Sequence, residues 1–208
     1  MELLDVDILV VGGGAAGMAA SLAASSSGLG VLLCEKENEL GGILRQCFHR
    51  GFGRAVFGRE LTGPEYAELY IAKLQPFVRP SPLSQSLSSA RSIPASQGIS
   101  GSLMVRTGAC ILSISPDRTA LLSAREGLAR IRFKHCILAT GCYERTLGSL
   151  LIAGTRPAGI FTAGTAQRLE NLEGKVTGHR IVILGSGDVG QIMARHFAES
   201  GREVVAML

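Results

Sequence analysis

Blocks of apolar and small residues at the beginning of the chain predict a β-α-β unit. Residues 7–11 (DILVV) form a short run rich in β-branched residues, as is typical of buried parallel strands. The turn GGGAAG follows at once, and the Ala-rich segment 18–27 favours a helix. A second apolar run at residues 31–35 (VLLCE) completes a unit of about 30 residues.

The same pattern recurs later in the chain and predicts a second unit of the same kind. The run IVIL at 181–184 leads into GSGDVG, a helix-forming segment at 191–200 and another apolar run at 204–208. Three glycine pairs align at an offset of 173 residues: Gly12 with Gly185, Gly14 with Gly187, and Gly17 with Gly190. This repeat is better evidence for two related units than either motif alone.

The residues between the two units predict smaller elements. Residues 41–58 are expected to form a loop, and the capping-box spacing of TGPE predicts a helix that ends near Gln75. Residues 76–102 are Ser-rich and predict a loop, whereas 103–139 predict a small antiparallel sheet. A short helix is expected near 166–172. The predicted fold class is α/β: a Rossmann-like domain with a small antiparallel sheet insertion, followed by the first β-α-β unit of a second Rossmann-like domain.

Composition narrows the class of ligand. Of the 208 residues, 46% are hydrophobic and 18% are charged, so we expect a packed core rather than disorder. The 27 glycines show no collagen-like period, which indicates tight turns and close approach of the backbone to a ligand. The net charge of +4 comes without a long basic block. A small polyanionic ligand fits this balance, and no nucleic-acid partner is expected.

The five cysteines indicate neither a zinc site nor a disulfide framework, because their number is odd and no CxxC spacing occurs. We therefore expect no metal, a reducing compartment and a cytoplasmic protein. Residues 8–34 include no charged residue and would be long enough to span a membrane. Their glycines and serines, and the acidic residues before them, favour a buried strand, turn and helix, so no transmembrane segment is expected.

The first glycine-rich turn has the residues that a dinucleotide site needs. Gly12 permits the tight turn after the strand, Gly14 lets the backbone approach a pyrophosphate, and Gly17 lets helix and strand pack closely. The helix N-terminus offers unsatisfied N–H groups to the phosphates. Glu35 ends the second strand, where a carboxylate accepts hydrogen bonds from an adenosine ribose. The alternative is a structural glycine turn with an exposed glutamate.

The second glycine-rich turn has the same spacing, but its ribose-binding position is ambiguous. At the offset of 173 residues Leu208 stands opposite Glu35, and a shift of one residue would move this position to 209, beyond the sequence. The choice between NAD and NADP is therefore open. Residues 180–208 supply a single β-α-β unit, which leaves a sheet edge and one face unpaired, so we expect an incomplete domain.

Two such fingerprints on either side of an ATG segment resemble the flavoproteins of the pyridine nucleotide–disulfide oxidoreductase superfamily. The resemblance rests on DILVVGGGAAG with Glu35, on Gly41-Gly42, on Ala139-Thr140-Gly141 and on VILGSGDVG. The stretches GGILRQCFHRGFG, ELTGPEYAELY, ATGCYER and GTRPAGIFTAGTAQRLENLEG are similar to a bacterial subgroup of FAD-dependent dehydrogenases. That subgroup includes the α-type subunits of sarcosine oxidase, opine oxidase and hydrogen cyanide synthase.

This resemblance implies FAD in a domain over residues 1–150. It implies NAD or NADP in an incomplete domain that follows a connector within residues 151–208. The residues implied at FAD are Gly12, Gly13, Gly14, Ala15, Ala16, Gly17, Glu35, Lys36, Gly41, Gly42, Ala139, Thr140 and Gly141, and those implied at NAD(P) are Gly185, Gly187, Asp188 and Gly190. A C-terminal segment normally completes the FAD domain of this family, so we expect this chain to be a fragment.

A redox-active cysteine pair is not expected. In the disulfide reductases of the superfamily two cysteines follow the double glycine, and the corresponding residues here are Leu44 and His49. Cys47 is either a nucleophile or flavin neighbour whose pKa is lowered by adjacent basic residues, or a buried small thiol. His49 is either an acid–base group or a packing residue. The thiols expected in the core are Cys34, Cys110 and Cys136.

The leading hypothesis is a FAD-dependent, NAD(P)-linked oxidoreductase. It would transfer hydride between the nicotinamide and FAD, or from an amino or hydroxy acid to FAD. Its partners would be a small-molecule substrate and a partner subunit or electron acceptor. The alternative is a non-catalytic dinucleotide-binding or electron-transfer subunit of a heteromeric dehydrogenase. The sequence assigns no catalytic residue.

Overall fold

The computed structural model describes residues 2–79, 102–155 and 157–208. Most of the loop predicted at 76–102 therefore lies outside the described residues. The chain divides into two compact units, one formed by residues 1–44 with 64–141 and the other by residues 45–63 with 142–208.

The elements follow one another along the chain in this order: β1 (Glu2–Val11), α1 (Ala15–Ser26), β2 (Val31–Cys34), β3 (Arg50–Phe52), α2 (Arg54–Phe57), β4 (Leu61–Thr62), α3 (Gly63–Leu74), β5 (Leu103–Arg106), β6 (Cys110–Ser115), β7 (Thr119–Ala124), β8 (Gly127–Leu138), α4 (Ala163–Asn171), β9 (Arg180–Ile183), α5 (Asp188–Glu199) and β10 (Glu203–Met207). The predicted strands and helices of both β-α-β units are confirmed. Residues 41–58 were expected to form a loop, and they contain β3 and α2 instead. These elements are too short to show a hydrophobic period.

A six-stranded sheet forms the centre of the first unit, in the strand order β5-β2-β1-β8-β7-β6. β5, β2, β1 and β8 are parallel, whereas β6, β7 and β8 pair antiparallel. β8 belongs to both parts, because it pairs with β1 along most of its length and with β7 in its first half. The predicted α/β, Rossmann-like class is confirmed. The antiparallel prediction for 103–139 is wrong at two places: β5 pairs parallel with β2, and residues 133–138 of β8 pair only with β1, also in parallel. The direction of a short apolar run depends on the neighbouring strand.

β1 begins at Glu2 rather than at Asp7, because the acidic residues in its first half find partners on β8. The Asp5 carboxylate accepts two hydrogen bonds from the Arg132 guanidinium, at 2.5 and 2.9 Å. Lys134 Nζ lies 2.7 Å from the Asp7 carboxylate, and this contact is the main cause of the lowered pKa of Asp7. Acidic residues that looked like a strand boundary are therefore part of the strand.

Helix α1 lies against β1 and β2 with its small residues. Its buried residues are Gly17, Met18, Ser21, Ala24 and Ser25. Because four of these five side chains are small or absent, the helix can approach the sheet closely at its N-terminal end. This approach brings the start of α1 to the end of β1, where the candidate site lies.

In the second unit, α4 and α5 pack on one face of the parallel pair β9–β10. The core consists of Ala166, Met193 and Phe197, with Ile181, Ile183 and Val204 packed against it. The opposite face of the pair exposes Val182, Leu184, Val205 and Met207. Within the described residues, this sheet therefore has one covered and one uncovered face, as expected for a single β-α-β unit.

Residues 45–63 join the second unit through a polar network on α4. Gln46 Nε2 donates hydrogen bonds to Gly164 O at 3.0 Å and to Gln167 Oε1 at 3.1 Å. Asn171 Nδ2 donates to Gln46 O at 2.7 Å. Both Gln46 and Gln167 are buried, so their amide groups satisfy each other where water is excluded.

A buried carboxylate, Glu170, fastens α4 to the rest of the second unit. The side chain is only 4% exposed and accepts hydrogen bonds from Thr177 N at 3.0 Å, from Thr177 Oγ1 at 2.6 Å and from the Arg202 guanidinium. His196 Nε2 lies 3.5 Å away. Burial opposes ionisation of Glu170, but the hydrogen bonds from Thr177 and Arg202 outweigh it and hold the pKa of Glu170 below its usual value.

We predict that Glu170→Gln lowers the free energy of unfolding by about 1–3 kcal/mol at pH 7, because Arg202, whose side chain is 13% exposed, loses its anionic partner. The folded-state pKa is depressed, so the contribution of Glu170 is present above the pKa of about 4.3 of an unfolded glutamate. It is lost as the pH falls through the lower folded-state value. Urea unfolding followed by circular dichroism at pH 7 and at pH 3 tests both statements.

The matched control is Glu199→Gln, which removes an exposed i,i+4 partner of Arg195. Such a surface pair contributes about 0.5 kcal/mol or less, so this variant should unfold like the parent. Equal losses for the two variants at pH 7 would contradict the role assigned to Glu170.

Candidate functional site

The first glycine-rich turn brings the ends of β1, α1 and β8 into close contact. Gly12 follows β1 with φ +104°, and a Cβ atom there would lie 2.3 Å from the carbonyl oxygen of Ala139. A Cβ atom at Gly17, in the first turn of α1, would lie 1.8 Å from Gly12 O. A side chain at either position would therefore push the turn apart.

Gly14 is different, because no protein atom of the described residues lies within 4 Å of the position of a Cβ atom there. It is the N-cap of α1 and has no side chain that could accept the free N–H groups of the first helical turn. Gly14 therefore leaves an open space beside unsatisfied donors at the positive end of the helix dipole. An anion such as a pyrophosphate fits such a space.

Glu35 lies beside this turn and is 5% exposed. Its Oε2 accepts a hydrogen bond of 2.6 Å from Gly13 N, and its Oε1 accepts one of 2.9 Å from Glu37 N. Each carboxylate oxygen has a second lone pair for a hydroxyl group. The alternative of an exposed glutamate is therefore wrong, since Glu35 is buried and fixed to the turn.

The other residues predicted at the first site lie around the same turn or at the surface. Ala15 and Ala16 begin α1. Ala139 N donates a hydrogen bond of 2.8 Å to Val11 O, which holds the ATG segment beside the turn. Residues 41–42 also contact the turn, whereas Lys36, Thr140 and Gly141 are exposed.

The second glycine-rich turn repeats this geometry. Gly185 has φ +116°, and a Cβ atom at Gly190 would lie 2.2 Å from Gly185 O. Gly187 is the N-cap of α5, in the same extended conformation as Gly14 and with the same open space beside it. Asp188, the first residue of α5, is exposed. The two turns therefore share one conformation as well as one spacing.

Strand β10 settles which residue corresponds to Glu35. Gly12 N donates to Cys34 O at 2.8 Å, and the equivalent Gly185 N donates to Leu208 O at 2.8 Å. The pairing of β9 with β10 shifts between Val204 and Ala206, which inserts one residue. Leu208 therefore corresponds to Cys34, not to Glu35 as the simple offset suggests. No residue of the given sequence therefore corresponds to Glu35 in the second unit.

Cys47 is a buried thiol. It is 9% exposed, and its Sγ lies 3.9 Å from Gln167 Oε1. Burial raises the pKa of Cys47, which is opposite to the shift that an activated nucleophile needs. His49 packs its ring 5.2 Å from that of Phe52 and places Nδ1 3.0 Å from Arg50 O. Both observations favour the packing interpretations of these residues.

The remaining thiols differ in burial. Burial raises the pKa of Cys34 to about 12, so this residue is a core thiol as expected. Cys110 was expected in the core as well, but it is exposed at the beginning of β6, whose residues are largely exposed. None of the described helices is long and apolar enough to cross a lipid bilayer.

Comparison with known families identifies this arrangement. The sequence profile of the family described as pyridine nucleotide-disulphide oxidoreductase matches residues 6–208. The chain is 31% identical over 205 residues to the alpha subunit of sarcosine oxidase from Corynebacterium sp. (strain P-1), a match that covers 97% of this chain and 19% of that protein. It is 27% identical over 197 residues to an opine oxidase subunit from Agrobacterium tumefaciens (strain Ach5), a match that covers 94% and 35%.

A similar fold occurs in the crystal structure of L-proline dehydrogenase from P. horikoshii. The TM-score is 0.73 at 19% identity, over 99% of this chain and 36% of that chain. The chain thus spans well under half the length of the relatives that it matches. The resemblance inferred from the motifs is confirmed.

Sequence reasoning missed the contact of Leu40 with the first turn. A Cβ atom at Gly13 would lie 2.5 Å from Leu40 Cδ2, although 27 residues separate the two positions. The sequence does show an apolar residue directly before the double glycine. The local pattern does not show which surface that side chain packs against.

We predict that Cys47 reacts with iodoacetamide at pH 8 about tenfold more slowly than the exposed Cys142, because burial disfavours the reactive thiolate form of Cys47. Peptide mass spectrometry after timed alkylation measures both rates on the same sample. Alkylation of the urea-unfolded chain is the control and should modify all five cysteines equally. Rapid modification of Cys47 in the folded chain would restore the nucleophile interpretation.

Proposed function

The chain belongs to the pyridine nucleotide-disulphide oxidoreductase family, and from this premise we propose that it binds FAD and a nicotinamide dinucleotide in an oxidoreductase. Residues 1–150 form the FAD-binding domain in this proposal. Residues 151–208 form a connector and the first part of the NAD(P)-binding domain. The supporting observation is that two turns of the same conformation, 173 residues apart, each leave an open space at a helix N-terminus.

The first turn suits FAD because its residues match both ends of an adenosine diphosphate group. Gly14 and the N–H groups at the start of α1 receive the pyrophosphate. Glu35 accepts hydrogen bonds from the adenosine ribose with the lone pairs that Gly13 and Glu37 leave unused. Ala139, Thr140 and Gly141 bring the backbone of the ATG segment close to the cofactor, and Lys36 lies beside its adenosine end.

The second turn suits a nicotinamide dinucleotide. Gly185, Gly187 and Gly190 leave the same space at the start of α5. Asp188 is part of this turn and adds a negative charge beside the proposed pyrophosphate position. The proposal includes NAD and NADP equally, because no residue of the given sequence corresponds to Glu35 in the second unit.

FAD, when bound, supplies the acceptor for a hydride, and the task of this chain is to bind and orient the two dinucleotides. The substrate proposed is an amino or hydroxy acid, since the names of the relatives refer to sarcosine, an opine and L-proline. Two of these relatives are named as subunits, which supports a partner subunit. The same names favour a second candidate function, a dinucleotide-binding subunit without catalytic activity of its own.

The decisive measurement is the absorption spectrum of the purified chain, with chemical identification of any cofactor released on denaturation. We expect the visible absorption bands of a bound flavin and the release of FAD on denaturation. Turnover of NAD(P)H with a dye acceptor then separates an enzyme from a passive subunit. If the folded protein stayed colourless after incubation with FAD, the proposed cofactor would be refuted.

We predict that Gly14→Ala folds like the parent chain but binds FAD about tenfold more weakly or worse, a loss of about 1.4 kcal/mol. The new methyl group meets no atom of the described residues and occupies the space proposed for the pyrophosphate. Calorimetric titration with FAD and thermal unfolding of the apoprotein measure the two effects separately.

The contrasting variant is Gly17→Ala, whose methyl group would collide with Gly12 O. It should destabilise the apoprotein by about 3 kcal/mol or prevent folding. If Gly14→Ala destabilised the apoprotein as strongly as Gly17→Ala, the open space beside Gly14 would be needed for folding rather than for a ligand.

A further inference from the structure

A segment outside the fingerprint, Leu40–Gly42, packs directly on the first turn. Gly41 N donates a hydrogen bond of 2.9 Å to Gly13 O. A Cβ atom at Gly42 would lie 3.1 Å from the α-carbon of Gly14, and one at Gly13 would lie 2.5 Å from Leu40 Cδ2. The double glycine therefore contacts the protein backbone of the turn.

The second turn differs from the first in its neighbours among the described residues. The position equivalent to Gly13 is Ser186, at the offset of 173 residues, and Ser186 is exposed whereas Gly13 is buried. Within the described residues, no atom lies within 4 Å of a Cβ atom placed at Gly187, the counterpart of Gly14. The same backbone conformation therefore accepts a side chain at this position when nothing packs on it.

From the contacts of Leu40–Gly42 with the turn we propose that this segment is a brace that positions the phosphate-binding turn of the first site. We further propose that Gly13 is required chiefly by this brace, since a Cβ atom there would lie 2.5 Å from Leu40 Cδ2, closer than the 3.0 Å to Glu35 Cβ. Both statements rest on the proposed function, because they concern the affinity of the first site for FAD. Leu40, Gly41 and Gly42 are positioning residues, since they act through Gly13 and Gly14.

The physical reason is preorganisation. The N–H groups beside Gly14 bind a pyrophosphate well only if they point at it before it arrives, because ordering a loop on binding reduces the affinity. The contacts of Leu40–Gly42 with Gly13 and Gly14 restrict the turn to one conformation.

The first test is Gly42→Ala, compared with Gly28→Ala. Gly42 has φ +52° and Gly28 has φ +81°, so alanine is strained at both positions, but only at Gly42 does the methyl group meet the phosphate-binding turn. Titration of the FAD-free protein should give a dissociation constant for FAD about tenfold higher for Gly42→Ala and within about twofold of the parent for Gly28→Ala. Thermal unfolding of the FAD-free proteins measures the structural cost separately.

The second test is a double-mutant cycle between Gly13→Ala and Leu40→Ala. Gly13→Ala alone should weaken FAD binding, because its methyl group displaces Leu40 or the turn itself. Leu40→Ala removes the colliding Cδ2 atom. The double variant should therefore bind FAD at least about threefold more tightly than Gly13→Ala alone. Recovery of affinity distinguishes a brace from a general loss of stability, which a second substitution would only increase.

The outcomes separate the brace from the cofactor assignment. The brace would be overturned if the parent chain bound FAD, Gly42→Ala and Gly28→Ala had the same FAD affinity, and the effects in the double-mutant cycle were additive. The proposed function would then stay intact. A parent chain that binds no FAD would overturn the proposed function and the brace together. Selective weakening by Gly42→Ala, combined with recovery in the double variant, would support the brace.

Discussion

The contact between a glycine α-carbon and a carbonyl oxygen is the constraint on which both candidate sites depend. At Gly17 a Cβ atom would lie 1.8 Å from Gly12 O, and at Gly190 it would lie 2.2 Å from Gly185 O. This approach lets each helix begin directly behind the strand that precedes it. The unsatisfied N–H groups of the helix then stand at the carboxyl end of the strand. This close packing fixes the position of the donors, because a side chain at Gly17 or Gly190 would move them away.

The surroundings of the two turns differ although their backbones agree. The first turn is held by Glu35, by the ATG segment after β8 and by Leu40–Gly42. At the second turn, no atom of the described residues lies within 4 Å of a Cβ atom placed at Gly185 or Gly187, and helix α5 begins with the exposed Asp188. The backbone conformation is therefore common to both turns, whereas the described residues packed against them differ.

The packing of the second unit shows why some contacts escaped prediction. Gln46 and Gln167 are polar residues without a motif, yet they are buried against each other across more than a hundred residues of sequence. Asp5 in the first unit is not buried, but it too has a partner that is distant in the sequence, the guanidinium of Arg132. The positions of such polar residues depend on a hydrogen-bonding partner that is distant in the sequence. The burial of Cys47 beside Gln167 belongs to the same class, and it decides the character of that thiol.

The sequence alone determined the two β-α-β units, the three glycines of each fingerprint and the place of Glu35 directly after the second strand, because these depend on local periodicity and on spacing within about 30 residues. The tertiary structure decided what depends on strand partners. It placed residues 103–106 parallel to β2, and it inserted one residue into β10 so that Leu208 matches Cys34. It also showed that Leu40–Gly42 lies on the turn. Strand register and packing across distant segments are set by partners that no local pattern specifies, so they become visible only in the folded chain.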